Sequence, residues 1–165
     1  MLYDKINDRN TYDEKEKKMN QEILSQLANA SGYLSVALGA VGSALGCGIA
    51  GMAAIGAWKK RYAQNKQAPF LLMVLAGAPL SQTIYAMVLM VLIKGKVAEA
   101  GAPLWTYIFM GLFAGIGFLA SALLQGKAGA CAADAFGETD KGFANYLIVL
   151  GVVETCAIFA FITEI

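Results

Sequence analysis

Four apolar stretches alternate with polar breaks along this chain, at residues 33–58, 70–93, 104–124 and 142–165. A membrane-crossing helix takes about 20 predominantly apolar residues, and each stretch meets that length. The breaks carry the charge: Lys59, Lys60, Arg61 and Lys66 follow the first stretch, and Lys94, Lys96 and Glu99 follow the second. The pattern predicts an all-α membrane protein with four transmembrane helices. Trp58 and Trp105 fall at the ends of stretches, where indole rings anchor to the membrane interface. Lysine and arginine concentrate on cytoplasmic loops, so the cluster between the first two stretches places that loop inside and both termini outside. Lys94 and Lys96 oppose this weakly, offset in part by Glu99.

Composition agrees with the pattern. The chain is 58% hydrophobic and only 15% charged, whereas a soluble domain carries about 25% charged residues. Much of the charge precedes residue 23. Residues 1–32 therefore form a polar N-terminal extension with no apolar core of the signal-peptide kind. Its first part, to Lys18, is expected to be disordered or a frayed helix. Met19 is a second candidate start, which would put residues 1–18 upstream of the mature chain. The net charge is +1, and no basic surface suggests nucleic acid. Histidine is absent, which removes imidazole ligands and His-based triads. Cys47, Cys131 and Cys156 are isolated and read as packing residues.

The chain looks duplicated. Ser43-Ala-Leu-Gly-Cys-Gly-Ile-Ala-Gly51 aligns with Ser121-Ala-Leu-Leu-Gln-Gly-Lys-Ala-Gly129, with six of nine positions identical. Gln82-Thr83 aligns likewise with Glu154-Thr155. Two helical hairpins are predicted, at residues 33–100 and 101–165. Each has a glycine-rich first helix and a polar residue midway along its second. Gly42, Gly46, Ala50 and Ala54 form a row of small residues, as do Ala122, Gly126 and Ala130. Such rows let helix backbones approach closely in lipid. They suit a four-helix bundle or, more sharply, the crowded inner wall of a larger ring.

Glu154 stands alone in the last apolar stretch; Asp140 and Glu164 lie near its two ends. A carboxylate at a bilayer centre costs roughly 2.5–3.5 kcal/mol, so by default it marks an ion or proton path. Pro79 interrupts the second stretch, because it cannot donate to the carbonyl of Leu75. Ala78, Ser81, Gln82 and Tyr85 follow it on one helical face. Gln125 is a third polar candidate. It reaches the same depth as Gln82 only if the second helix continues past Lys94 toward Ala100. Lys127 is expected to snorkel to the interface. Neutral oxygens around one carboxylate suit a monovalent cation better than Ca²⁺ or Mg²⁺, and the surplus of polar groups favours Na⁺ over H⁺.

With Ala78-Pro-Leu-Ser-Gln-Thr-Ile-Tyr85, Leu124-Gln-Gly-Lys127, Val153-Glu-Thr155 and the doubled hairpin, the chain from residue 33 onward resembles the proteolipid (K or c) subunit of V-type ATPases, in the bacterial sodium-pumping branch. In that family one carboxylate serves a duplicated chain, as Glu154 and Gln82 do here. The resemblance implies a rotor ring of identical subunits in a bacterial cell membrane. It implies a stator subunit beside the ring and a central-stalk subunit on its cytoplasmic loops. It further implies Na⁺ held by Glu154, Gln125, Gln82, Ser81 and the backbone carbonyl of Ala78, with Tyr85 hydrogen-bonded to Glu154. An H⁺-carrying proteolipid is the alternative. The serine at position 81 replaces a threonine found in some relatives, and the charged extension is not part of the family pattern. No phosphate-binding glycine loop is present, so the chain would be carrier and not catalyst. Two other classes compete. A small four-helix antiporter would need its carboxylate in the first stretch, and a structural tetraspan protein leaves Glu154, Gln82 and Gln125 without a purpose.

Overall fold

The computed structural model describes residues 2–99 and 101–162. Met1, Ala100 and residues 163–165, Glu164 among them, lie outside the described residues. The described chain is helical, without strands: α1 (Leu2–Ala63), α2 (Leu72–Gly77), a 3₁₀ turn (Ala78–Leu80), α3 (Ser81–Val97), α4 (Leu104–Thr139) and α5 (Phe143–Ile162). Four helical segments are long and apolar enough to cross a membrane, with α2 and α3 forming one of them.

Two helices outrun their apolar stretches. Where the sequence suggests disorder or fraying before Met19, the described residues are helical, and α1 continues unbroken for 62 residues, about 93 Å at the usual rise. Residues 2–31 contain neither Gly nor Pro and are rich in strong helix formers. Asp13 and Lys17, and Glu14 and Lys18, stand at the i,i+4 spacing that supports a helix. The third helix likewise passes its expected end at Leu124 and stops only at Thr139. Alanine dominates that added length, and alanine carries the highest helix propensity. The stop comes where Asp140 and Gly142 take left-handed backbone angles, with φ of 54° and 81°.

The second span breaks where proline predicts. Residues 78–80 tighten into a 3₁₀ turn between α2 and α3. The carbonyl of Leu75, released by Pro79, points at Gly129 on α4: a Cβ there would stand 2.7 Å from that oxygen. A glycine facing the defect lets a neighbouring backbone close over it. Beyond the break α3 runs through Lys94 to Val97, so the second helix continues in the direction that the depth of Gln125 required.

The centre of the fold is a seam between α1 and α4, which lie parallel. Gly111 packs on Ser31, Gly115 on Ser35, Gly46 on Ala122 and Gly137 on Ala57. At the crossing a Cβ on Gly126 would fall 2.2 Å from the Cα of Gly46. Backbone meets backbone, and only glycine fits. The small-residue row on α4 departs from expectation in one place. It passes from Gly126 to Gly129 and Ala133, which are buried, while Ala130 is only half-buried. A helix has 3.6 residues per turn, so a face holds its line by mixing steps of three and four.

Both hairpin turns lie at the same end. There Arg61 makes a two-pronged ion pair with Asp140 at 2.6 Å, and Lys60 pairs with Glu138. The Trp58 indole donates to the Pro69 carbonyl at 2.9 Å and pins the first turn. The α5 helix packs on α4 and α3 with only Leu150 and Ala157 buried. Ile148, Val149, Val152 and Phe159 point outward.

Candidate ion-binding site

Polar residues within the apolar helices converge between α3, α4 and α5. Pro79 sets the local shape, because the 3₁₀ turn leaves the carbonyl of Ala78 beside the first turn of α3. Ser81 Oγ lies 3.1 Å from that carbonyl and 3.3 Å from Gln82 Oε1. Three oxygens from neighbouring residues thus gather at the break.

Gln82 and Gln125 are both completely buried. A buried amide is tolerated only when its donors and acceptors are met. Gln82 Nε2 donates to Gln125 Oε1 at 3.0 Å and to Ser121 Oγ at 3.2 Å. Gln125 Nε2 donates to the Leu150 carbonyl at 3.0 Å and faces Glu154 Oε2 at 3.4 Å. Tyr85 donates its hydroxyl to Glu154 Oε1 at 2.8 Å, an ordinary O–H···O distance. Among the described residues no buried side-chain polar atom lacks a partner.

The six residues expected at the ion site therefore sit in one connected cluster: Ala78, Ser81 and Gln82 at one end, Gln125 in the middle, Tyr85 and Glu154 at the other. Glu154 is half-buried, on the face of α5 that meets α3 and α4. Lys127 is exposed and takes no part. Nor does Thr155, whose hydroxyl turns back to the Val152 carbonyl at 2.6 Å.

Ser121 joins the cluster without having been singled out. It is buried, accepts from Gln82, and donates to the Val153 carbonyl at 3.1 Å. Two signals were available: it stands one turn before Gln125 on the same face, and it aligns with Ser43 in the repeat. Ser43 is buried as well, donating to the Pro79 carbonyl at 2.6 Å and accepting from Thr83 at 2.7 Å.

Chemically the cluster offers one carboxylate, held by the Tyr85 hydroxyl and the Gln125 amide, in a network with the neutral oxygens of Ala78, Ser81, Gln82 and Gln125. No three His, Cys, Asp or Glu side chains gather anywhere among the described residues. Such a set balances a single positive charge, because a divalent ion would leave net charge in a low-dielectric layer.

Comparison with known families bears on the same region. Residues 108–165 match the family model for the C subunit of ATP synthase. The match covers most of α4 and all of α5, and so includes Ser121, Gln125 and Glu154. The matched segment is thus similar to a proteolipid hairpin, and four helical segments of the described chain are long and apolar enough to cross a membrane. Comparison with curated proteins found no match.

Proposed function

We propose that this chain is the rotor-ring proteolipid of a V-type ATPase membrane sector and carries Na⁺ at Glu154. The observation that carries the reading is the connected cluster in which Tyr85, Gln125, Gln82 and Ser81 surround the carboxylate region. Two features support the V-type form over a simple two-helix subunit: the duplicated hairpin, and the single carboxylate shared between two halves, with Gln82 in the place of the second. Exposed apolar side chains on both faces of the bundle suit packing against further copies and lipid. The end bearing Lys59, Lys60, Arg61 and Lys66 faces the cytoplasm and meets a central-stalk subunit. Both termini face outward, and the setting is a bacterial cell membrane.

In this mechanism the Ala78 carbonyl, Ser81 Oγ, Gln82 Oε1, Gln125 Oε1 and the Glu154 carboxylate hold the ion. A bound cation neutralises Glu154, so the loaded site turns past lipid at low electrostatic cost. At the stator a basic group displaces the ion and pairs with the bare carboxylate. The work is about 2.3 kcal/mol per charge per 100 mV, supplied by ATP hydrolysis on other subunits.

The test is modification of Glu154 by a hydrophobic carbodiimide, which takes up the proton of the protonated acid and is attacked at its central carbon by the carboxyl oxygen. Sodium is expected to slow modification at a fixed pH where potassium does not. A rate that depends on pH alone would establish the H⁺-carrying proteolipid instead.

A further inference from the structure

Both buried glutamines must direct their amide oxygens the same way if those oxygens are to meet a cation. An amide is nearly symmetric in shape, so shape alone does not choose between its two orientations. Hydrogen-bond polarity does. A backbone carbonyl can only accept, and two carbonyls one turn apart on α5, Leu150 and Val153, face the cluster. The Leu150 carbonyl takes an N–H from Gln125 at 3.0 Å, which turns Gln125 Oε1 toward Gln82. The Val153 carbonyl is linked to Gln82 through Ser121. Its oxygen takes the only hydroxyl hydrogen of Ser121 at 3.1 Å. Toward Gln82, Ser121 then shows lone pairs alone, and Gln82 must answer with its NH₂ at 3.2 Å. With both N–H groups so engaged, Gln82 Oε1 is left facing Ser81.

We infer that Ser121 is a positioning residue of the ion site, one that fixes the orientation of the Gln82 amide without touching the ion. The inference rests on the sodium reading above. Ser121 has no contact with the Glu154 carboxylate, so its loss is felt by a cation that needs Gln82 Oε1 and not by a proton that needs only Glu154. A purely structural serine would move neither affinity selectively.

The test measures carbodiimide labelling of Glu154 in purified protein against sodium concentration and, separately, against pH without sodium. Ser121→Ala is expected to raise the half-protecting sodium concentration about five- to tenfold, the loss of one buried hydrogen bond. Its sodium-free pH curve should match the wild type. Ser121→Thr, which keeps the hydroxyl, should restore protection to within about twofold, given that Ser→Thr adds only one methyl. Ser31→Ala is the control for folding. Ser31 is also a buried serine, bridging α1 to the Tyr107 carbonyl at 2.8 Å, but at the far end of the seam. It should leave sodium protection unchanged even if thermal stability falls. An unaltered half-protecting concentration in Ser121→Ala, or an equal change in Ser31→Ala, overturns the inference alone. A wild type that sodium does not protect overturns the sodium reading and this inference together.

Discussion

The α1–α4 seam and the α3–α5 face solve opposite problems within one bundle. Along the seam glycines bring two backbones into contact, and serines satisfy carbonyls from helix to helix. Charge enters only at the end of the seam, where Lys60 of α1 pairs with Glu138 of α4. On the α3–α5 side the packing is sparse, α5 buries two side chains, and a carboxylate sits half-exposed beside a phenol. Lipid provides no hydrophobic drive for helix association, so close packing must hold the helices together. A seam tight enough to do that frees the outer helix to carry a group that is costly in a membrane. Gln125 belongs to both regions. Its helix is fixed by the seam, and its amide reaches out to Leu150 and Glu154.

The sharpest way to break this comparison is Glu154→Gln. The substitution keeps the shape but removes the charge that balances a cation. On the proposed function, ATP-driven sodium uptake by the reconstituted ATPase should vanish while the ring still assembles. Continued uptake would mean that the outer face does not carry the ion. Next in size is Gly126→Val on the seam, where a Cβ would fall 2.2 Å from Gly46 Cα. Overpacking typically costs about 1–3 kcal/mol, and a clash between two backbones belongs at or beyond the upper end. Thermal unfolding in detergent should show the loss, and unchanged stability would show that the seam is not what holds the helices. The smallest effect is expected from Tyr85→Phe, which removes one donor from Glu154 Oε1. On the proposed function, sodium affinity should fall at least about tenfold, as for a hydrogen bond to a charged group, with unfolding temperature little changed. A large drop in stability would make Tyr85 part of the scaffold and blur the division.

Much of the site was legible in the sequence. Glu154, Gln82 and Gln125 stand out because a polar side chain in an apolar stretch is conspicuous by itself. Pro79 announces the break in the second span, since the missing N–H is a property of the residue. Ser121 was harder to find, because a serine in a glycine- and alanine-rich helix looks like one more small packing residue. Only its neighbours, Gln82 on one side and the Val153 carbonyl on the other, reveal its part.

By itself the sequence determined what depends on composition and local spacing: four apolar helices, one lone carboxylate and one proline break. The tertiary structure decided what depends on rotation of each helix about its axis. Residues three and four apart are equally near on a helix, so the sequence could not tell whether the α4 row continues at Ala130 or at Gly129. Contact with Ala50 and the Leu75 carbonyl chose Gly129. Nor could it say how far α1 and α4 extend beyond their apolar stretches, because helix propensity carries them past the point where hydropathy ends. The direction in which two glutamine amides face was likewise left open. It follows from which acceptors stand opposite them, and α5 supplies those from a different part of the chain.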